Sequence, residues 1–506
     1  MLVSLRAVIA VAMLVGFYLL ALALVGGLVA LEVWALSASV LAGVKIGLFV
    51  VPAIFAVLAA LVTAERRVDE ELAGVAVTPE QQPRLWELVH RLADEVGTRA
   101  PDEIRVIAAV NAGVSESTRL LGLLVLRRRM YIGAPLLMCL TEKQLAAVLA
   151  HELGHYGNRD TRLAGVVVTG RDALVRLVDG MNPEHLLQKL FAKLFLVYTK
   201  LYVRLSSAIC RRQEFAADAV SARIAGSSAT ASALREMRVI SVAWQLFVDR
   251  HLTVAWSAGY LPKTMFDGFA LLRAAPELHP VLEDIRQEDA DEDRGPYDSH
   301  PPTAARIAAI EALDAQPARE WDDRPAVELV DNPVPLMDRS LMLTLVADAE
   351  RKKRVDWVTL GHIGVRHQIF LDTKRLLNAA ANVLDRDPSL GAVLDALDAD
   401  RLADLAPNDR KPGDPVAGAR ARRELAREIV SQELTRLVLL AFVDARHARW
   451  HLDWRGQAHL DASGFDLTEV PDLVEAAVAE RPDTTGLREL LAGAGIAADF
   501  RPARQS

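Results

Sequence analysis

Polar residues are almost missing from the start of the chain. Ala7 to Leu31 is a run of 25 residues without a charge, and Ile46 to Ala64 is a second of 19 residues, interrupted only by Pro52. A helix needs roughly 20 residues to cross the hydrocarbon core of a bilayer. Two spans joined by a turn over Glu32–Ser39 therefore predict a transmembrane hairpin within residues 1–67. Lys45 stands at the edge of the second span, where its stem can snorkel toward the headgroups. Arg6 precedes the first span, and Arg66 and Arg67 follow the second. Positive residues favour the cytoplasmic side. The expectation is a multi-pass protein of the cell membrane, with the N-terminus and everything after Arg67 in the cytoplasm. A cleaved signal peptide is the competing reading, with Ala35–Ser39 as its small-residue site. Its apolar region would be too long, and a second span follows at once.

Beyond the hairpin the pattern changes to amphipathic helices with a few short extended runs. Residues 68–325 are expected to form one mainly helical domain with a small sheet, and 326–506 a largely helical accessory region with a turn-rich linker near 407–418. Pro83–Val96 carries Leu85, Leu88, Val89 and Leu92 on one helical side. Ile104–Val110 reads as a strand, and so does Leu123–Ile132, whose Arg127, Arg128 and Arg129 suggest a solvated edge. Thr141-Glu-Lys-Gln144 has the form of a capping box, so a helix should start there and carry its apolar face into His151. Gly157 and Asn158 suit its end.

His185–Cys210 is a further helix. Its Lys189, Lys193, Lys200 and Arg204 are spaced by 4, 7 and 4, which places them in a stripe about 60° wide. Leu186, Leu190, Phe191, Leu194, Leu201 and Val203 belong to the other side. Two readings stay open for it: a cover over the domain core, or a helix on the membrane surface near the hairpin. An acidic loop is expected over Gln287–Asp298 and a small β-hairpin over Trp450–Leu460. The fold class is thus mainly α, of α+β type.

Composition narrows the function classes. Hydrophobic residues make up 52 % and mean hydropathy is +0.18, yet 25 % of residues are charged, so the apolar excess must be local. A net charge of −8 gives no reason to expect a nucleic-acid partner. Only Cys139 and Cys210 are present, too few for a disulfide framework or a cysteine-built zinc site.

The chemistry lies in His151-Glu-Leu-Gly-His155. Two histidines four apart on a helix project to one side at a spacing that a single zinc ion bridges. Glu152, beside the first of them, is placed to act as general base on water. A catalytic zinc takes three protein ligands and keeps a fourth position open, so one more is needed. Glu214, in Arg211-Arg-Gln-Glu-Phe-Ala-Ala-Asp218, is the best candidate. Asp218 shares its helix side and can orient a ligand histidine. That helix should end at Gly226.

These motifs resemble the membrane metalloprotease family that contains the CAAX prenyl endopeptidase and the bacterial protease HtpX. The matching pieces are Ala147-Val-Leu-Ala-His-Glu-Leu-Gly-His155 with Asp160, then Arg212-Gln-Glu-Phe-Ala-Ala-Asp218, then Ser299-His-Pro-Pro-Thr303 with Arg306. Their order, their spacing and the hairpin ahead of them agree over roughly residues 1–315. The resemblance implies a gluzincin fold in which His151, His155 and Glu214 bind one Zn2+ per chain and Glu152 is the base. Asp218, Asp160 and Arg306 would then be outer partners, and His300 would steady the oxyanion. Two departures stand out. The family's Asn-Ala-Phe-Ala segment is Asn111-Ala-Gly-Val114 here, and a second pair of spans is not evident before Glu214.

The function expected is a membrane-anchored zinc endopeptidase acting on peptides or membrane proteins, with membrane-protein quality control as its family-level setting. Substrate would lie extended along an edge strand. A zinc aminopeptidase and a non-catalytic membrane scaffold are the alternatives. An intact Glu152 speaks against the scaffold.

Overall fold

The computed structural model describes residues 2–65, 72–119, 124–157, 186–288, 301–407 and 419–503, with a few positions between 167 and 178. Arg66, Arg67, Asp160, most of the acidic loop, His300 and residues 408–418 lie outside the described residues. The fold is mainly helical with small sheets. Two compact units form: residues 1–244 with 281–344, and 245–280 with 345–506.

Two apolar helices open the first unit, α1 (Leu2–Ala38) and α2 (Val40–Glu65). The stretch Val8–Ala38 is long and apolar enough to cross a membrane, whereas Val40–Phe55 is a shorter apolar helix. The turn expected over Glu32–Ser39 contracts to Ser39 alone, the one residue between the helices. Glycine makes so tight a return possible. A Cβ at Gly43 would fall 2.3 Å from the Leu36 side chain, and one at Gly47 would fall 2.7 Å from Glu32. The two helices approach closely, and Glu32 stays helical.

A four-stranded sheet follows, ordered β1-β2-β4-β3, from β1 (Gly74–Val77), β2 (Glu103–Ile107), β3 (Ala112–Arg119) and β4 (Leu124–Gly133). Helix α3 (Pro83–Val96) buries Leu85, Trp86, Leu88, Val89 and Leu92, then stops at Gly97, whose φ of 78° suits a residue without a side chain. The arginine run is not a solvated edge. Strand β4 pairs with a strand on each side, and Arg128 and Arg129 are each only 8 % exposed. They survive burial because Glu116 meets Arg128 at 2.6 Å and Glu103 meets Arg129 at 3.4 Å. The edges are β1 and β3, and β3, with Gly, Ser and Glu among its residues, is a strand that the apolar pattern did not mark.

After the short α4 (Ala134–Cys139) comes α5 (Glu142–Gly157). Its capping box is formed: Gln144 N donates to Thr141 Oγ1 at 3.3 Å, and Thr141 N to Gln144 Oε1 at 3.0 Å. Such a cap contributes about 1 kcal/mol. Helix α6 (Leu186–Ala225) is a single rod of 40 residues, ended by Gly226 at φ 90°. Its N-terminal two-thirds buries Phe191, Phe195, Tyr202 and Ile209 in a cluster with Phe17, Leu28, Val50 and Val57 of α1 and α2. Phe17 and Phe195 sit with ring centroids 5.2 Å apart, and Tyr198 donates to the Met13 carbonyl at 2.6 Å. The buried side therefore faces the hairpin. Leu190, Leu194 and Leu201, expected on the apolar side, are exposed, as are Lys189, Lys193, Lys200 and Arg204. Helices α7 (Ser227–Leu246) and α8 (Thr303–Ala312) complete the frame of the site.

In the second unit, Trp357–Leu384 and Ala419–Asp444 are the long helices. Their core holds Leu376, Val393, Leu397, Val430, Leu434, Val438 and Phe442. Ala448–Leu452 and Ala458–Ala462 form the anticipated hairpin.

Candidate metal centre

Where α5 crosses α6, glycine again decides the distance. A Cβ at Gly154 would stand 3.4 Å from Cα of Ala217 and 3.3 Å from Cβ of Val220. The backbones can meet closely there, and Ser221 locks the crossing by donating to the Ala147 carbonyl at 2.7 Å. Asp218 and Glu214, about one and two turns toward the N-terminal side of that lock, are thereby carried onto the histidines of α5.

One ligand atom each from His151, His155 and Glu214 lies within 4.8 Å of the others, the one such group among the described residues. Glu214 Oε2 is 3.7 Å from His151 Nε2, and Glu214 Oε1 is 3.6 Å from His155 Nε2. Tetrahedral zinc with bonds of ~2.1 Å separates its ligand atoms by about 3.4 Å. Two imidazoles and a carboxylate at this spacing fit a zinc ion, and the three residues can hold a metal. Burial, followed by the charge of His151, pushes His155 down to about 4. Its imidazole is thus neutral at pH 7, with a lone pair to give.

Around this trio the outer contacts are charged. Asp218 Oδ1 lies 3.0 Å from His151 Nδ1, which leaves Nε2 of that ring turned toward Glu214. Arg306, on the first turns of α8, donates to Asp218 through Nε at 2.9 Å and Nη2 at 2.6 Å. Its Nη1 is 3.3 Å from Glu214. Burial would raise the Asp218 carboxyl, but hydrogen bonds from Arg306 and His151 outweigh it and hold the group below its usual range. Burial likewise opposes the charge of Arg306, yet Asp218, Glu214 and Glu152 together raise it. Glu152 is half-buried on α5.

Of the sequence-predicted site residues, His151, Glu152, His155, Glu214, Asp218 and Arg306 are brought together. Asp160 and His300 lie outside the described residues. One neighbour escaped sequence reasoning. Tyr156 directly follows the second histidine, and its hydroxyl donates to the Val114 carbonyl of β3 at 2.7 Å. Its only signal in the sequence is its place beside a candidate ligand.

Residues 79–314, which contain the whole cluster, match the model of peptidase family M48. Among curated proteins the chain is similar to a protease HtpX homolog of Gemmatimonas aurantiaca, 26 % identical over 253 residues, covering 47 % of this chain and 78 % of the relative. A protease HtpX homolog of Trichormus variabilis is 27 % identical over 255 residues, covering 47 % and 77 %. A third, of Methylacidiphilum infernorum, is 28 % identical over 193 residues, covering 34 % and 61 %.

Proposed function

We propose, from the premise that this chain carries an HtpX-like peptidase family M48 domain, that it is a zinc-dependent endopeptidase anchored in a membrane by α1 and α2. The observation that carries the zinc assignment is the convergence of His151, His155 and Glu214 with donor atoms 3.6 and 3.7 Å apart. Bound there, zinc would supply Lewis acidity toward water and the scissile carbonyl. The rest of the reaction falls to the protein. Glu152 takes the proton of the attacking water and delivers it to the leaving amine. Asp218 fixes His151 by its Nδ1 proton, so that ring presents Nε2. Arg306 neutralises Asp218 and steadies Glu214. We assign His300, just ahead of α8, to the oxyanion. Arg306 supports this, because it brings the start of α8 to the site.

The membrane assignment rests on the apolar surfaces of α1 and α2, where Leu19, Leu22, Val33, Leu48 and Phe55 are exposed. Arg6, Arg66 and Arg67 favour a cytoplasmic site.

The test is an internally quenched peptide with a blocked N-terminus. Wild-type protein should cleave it, and Glu152→Gln should not, with zinc still near one per chain. Turnover by the variant would remove Glu152 from the mechanism. Cleavage only of peptides with free N-termini would make the protein an aminopeptidase.

A further inference from the structure

Among the described residues, strand β3 is an edge of the sheet and lies beside α5, the helix of the two histidines. It pairs with β4 in the register Gly113↔Tyr131 and Ser115↔Arg129, and Gly133 N donates to the Asn111 carbonyl at 2.8 Å. Residues 111, 113 and 115 therefore spend their backbone groups on β4, and in an antiparallel pair the alternate residues point theirs away. Ala112, Val114 and Glu116 turn their N–H and C=O groups to the open side. That is the ladder an extended peptide would use, with the Val114 carbonyl already accepting one hydrogen bond from a side chain.

The middle rung carries a clamp. Tyr156, in the last turn of α5 and next to His155, donates its hydroxyl to the Val114 carbonyl at 2.7 Å. The Arg128 guanidinium lies over its ring, 5.0 Å from the centroid. Arg128 is itself held by Glu116 at 2.8 and 2.6 Å and by Thr98 at 3.1 Å. Glu116 belongs to the same edge strand. The strand is thus fastened at two alternate residues, 114 and 116, to groups that are themselves held.

We propose that Tyr156 is a positioning residue for peptide binding: by holding Val114 it sets the height of the substrate-binding edge above the helix that carries His151 and His155. This rests on the protease reading. The role is specific to extended backbone. The Tyr156 hydroxyl is committed to a strand carbonyl. Its loss loosens the ladder and leaves the chemistry as it was.

The test uses full-length Tyr156→Phe, which keeps the ring against Arg128 and removes only the hydroxyl. One hydrogen bond of this kind corresponds to about 3- to 10-fold in binding. KM for an extended quenched peptide should rise by that factor, with kcat within about two-fold and zinc near one per chain. Amide hydrogen exchange over residues 111–116, measured on metal-free protein, should quicken. A fall in kcat at unchanged KM, a loss of zinc, or unaltered exchange would each overturn the proposal. If wild-type protein cleaves no peptide, the protease reading fails, and the exchange comparison still decides whether the clamp exists.

Discussion

Asp218 and Arg306 are joined by two hydrogen bonds, of 2.9 and 2.6 Å, and the Asp218 oxygen in the shorter one also faces His151 Nδ1 at 3.0 Å. A helix that begins 85 residues after Asp218 is in this way tied to the orientation of one imidazole. Replacing the carboxylate should leave the three proposed metal ligands in place but let the His151 ring turn. Asp218→Asn is expected to weaken zinc binding by about 10- to 100-fold, whereas Glu214→Ala should abolish stoichiometric zinc. Competition with a chelator of known affinity separates the two. Full zinc in Glu214→Ala would assign the third contact to another residue.

The crossing at Gly154 makes a steric prediction. Gly154→Leu forces a branched side chain against Ala217 and Val220 and should cost about 1–3 kcal/mol of stability. Because the same shift parts Glu214 from the histidines, zinc affinity should fall with Tm. A variant that melts early yet binds zinc normally would show that the crossing does not set the metal geometry.

For His300 the expectation is catalytic. His300→Ala should keep fold, zinc and KM and lose kcat by about 10²- to 10³-fold, the usual effect of one oxyanion donor. Zinc loss in this variant, or an unchanged kcat, would remove the assignment.

How much of this was legible beforehand depended on whether the signal was local. The histidine pair, Glu152 and the Glu214–Asp218 spacing are one-helix patterns, and so is the capping box at Thr141. All could be read from neighbours in sequence. Strand β3 could not, since Gly113, Ser115 and Glu116 offer no apolar alternation and its pairing with β4 alone makes it a strand. Arg128 and Arg129 looked like surface residues because their partners, Glu116 and Glu103, lie 12 and 26 positions away. The exposed Leu190, Leu194 and Leu201 show the same limit from the other side. Which stripe of α6 is buried was decided by where α1 lies, and helical periodicity alone does not contain that. The partition of the chain is likewise non-local, with 245–280 folding with 345–506.

The proposed orientation in a membrane is open to direct labelling. In a background lacking Cys139 and Cys210, a cysteine in place of Ser37 should react with an impermeant thiol reagent on whole cells. One in place of the exposed Asp94 should react only after lysis. The opposite pattern would put the metal centre outside the cell.

The long helix α6 makes the hairpin a wall of the protease and not a tether for it. A chain cut to begin after residue 65 would strip Phe17, Leu28, Val50 and Val57 from the cluster that covers Phe191, Phe195, Tyr202 and Ile209, on the same rod that presents Glu214. At about 1.5–3 kcal/mol for each large apolar side chain so exposed, the loss is comparable with a domain's entire margin of roughly 5–15 kcal/mol. A soluble form of this enzyme would have to be made by repainting that face of α6 with polar residues, since removing the greasy helices strips the catalytic half of part of its own core.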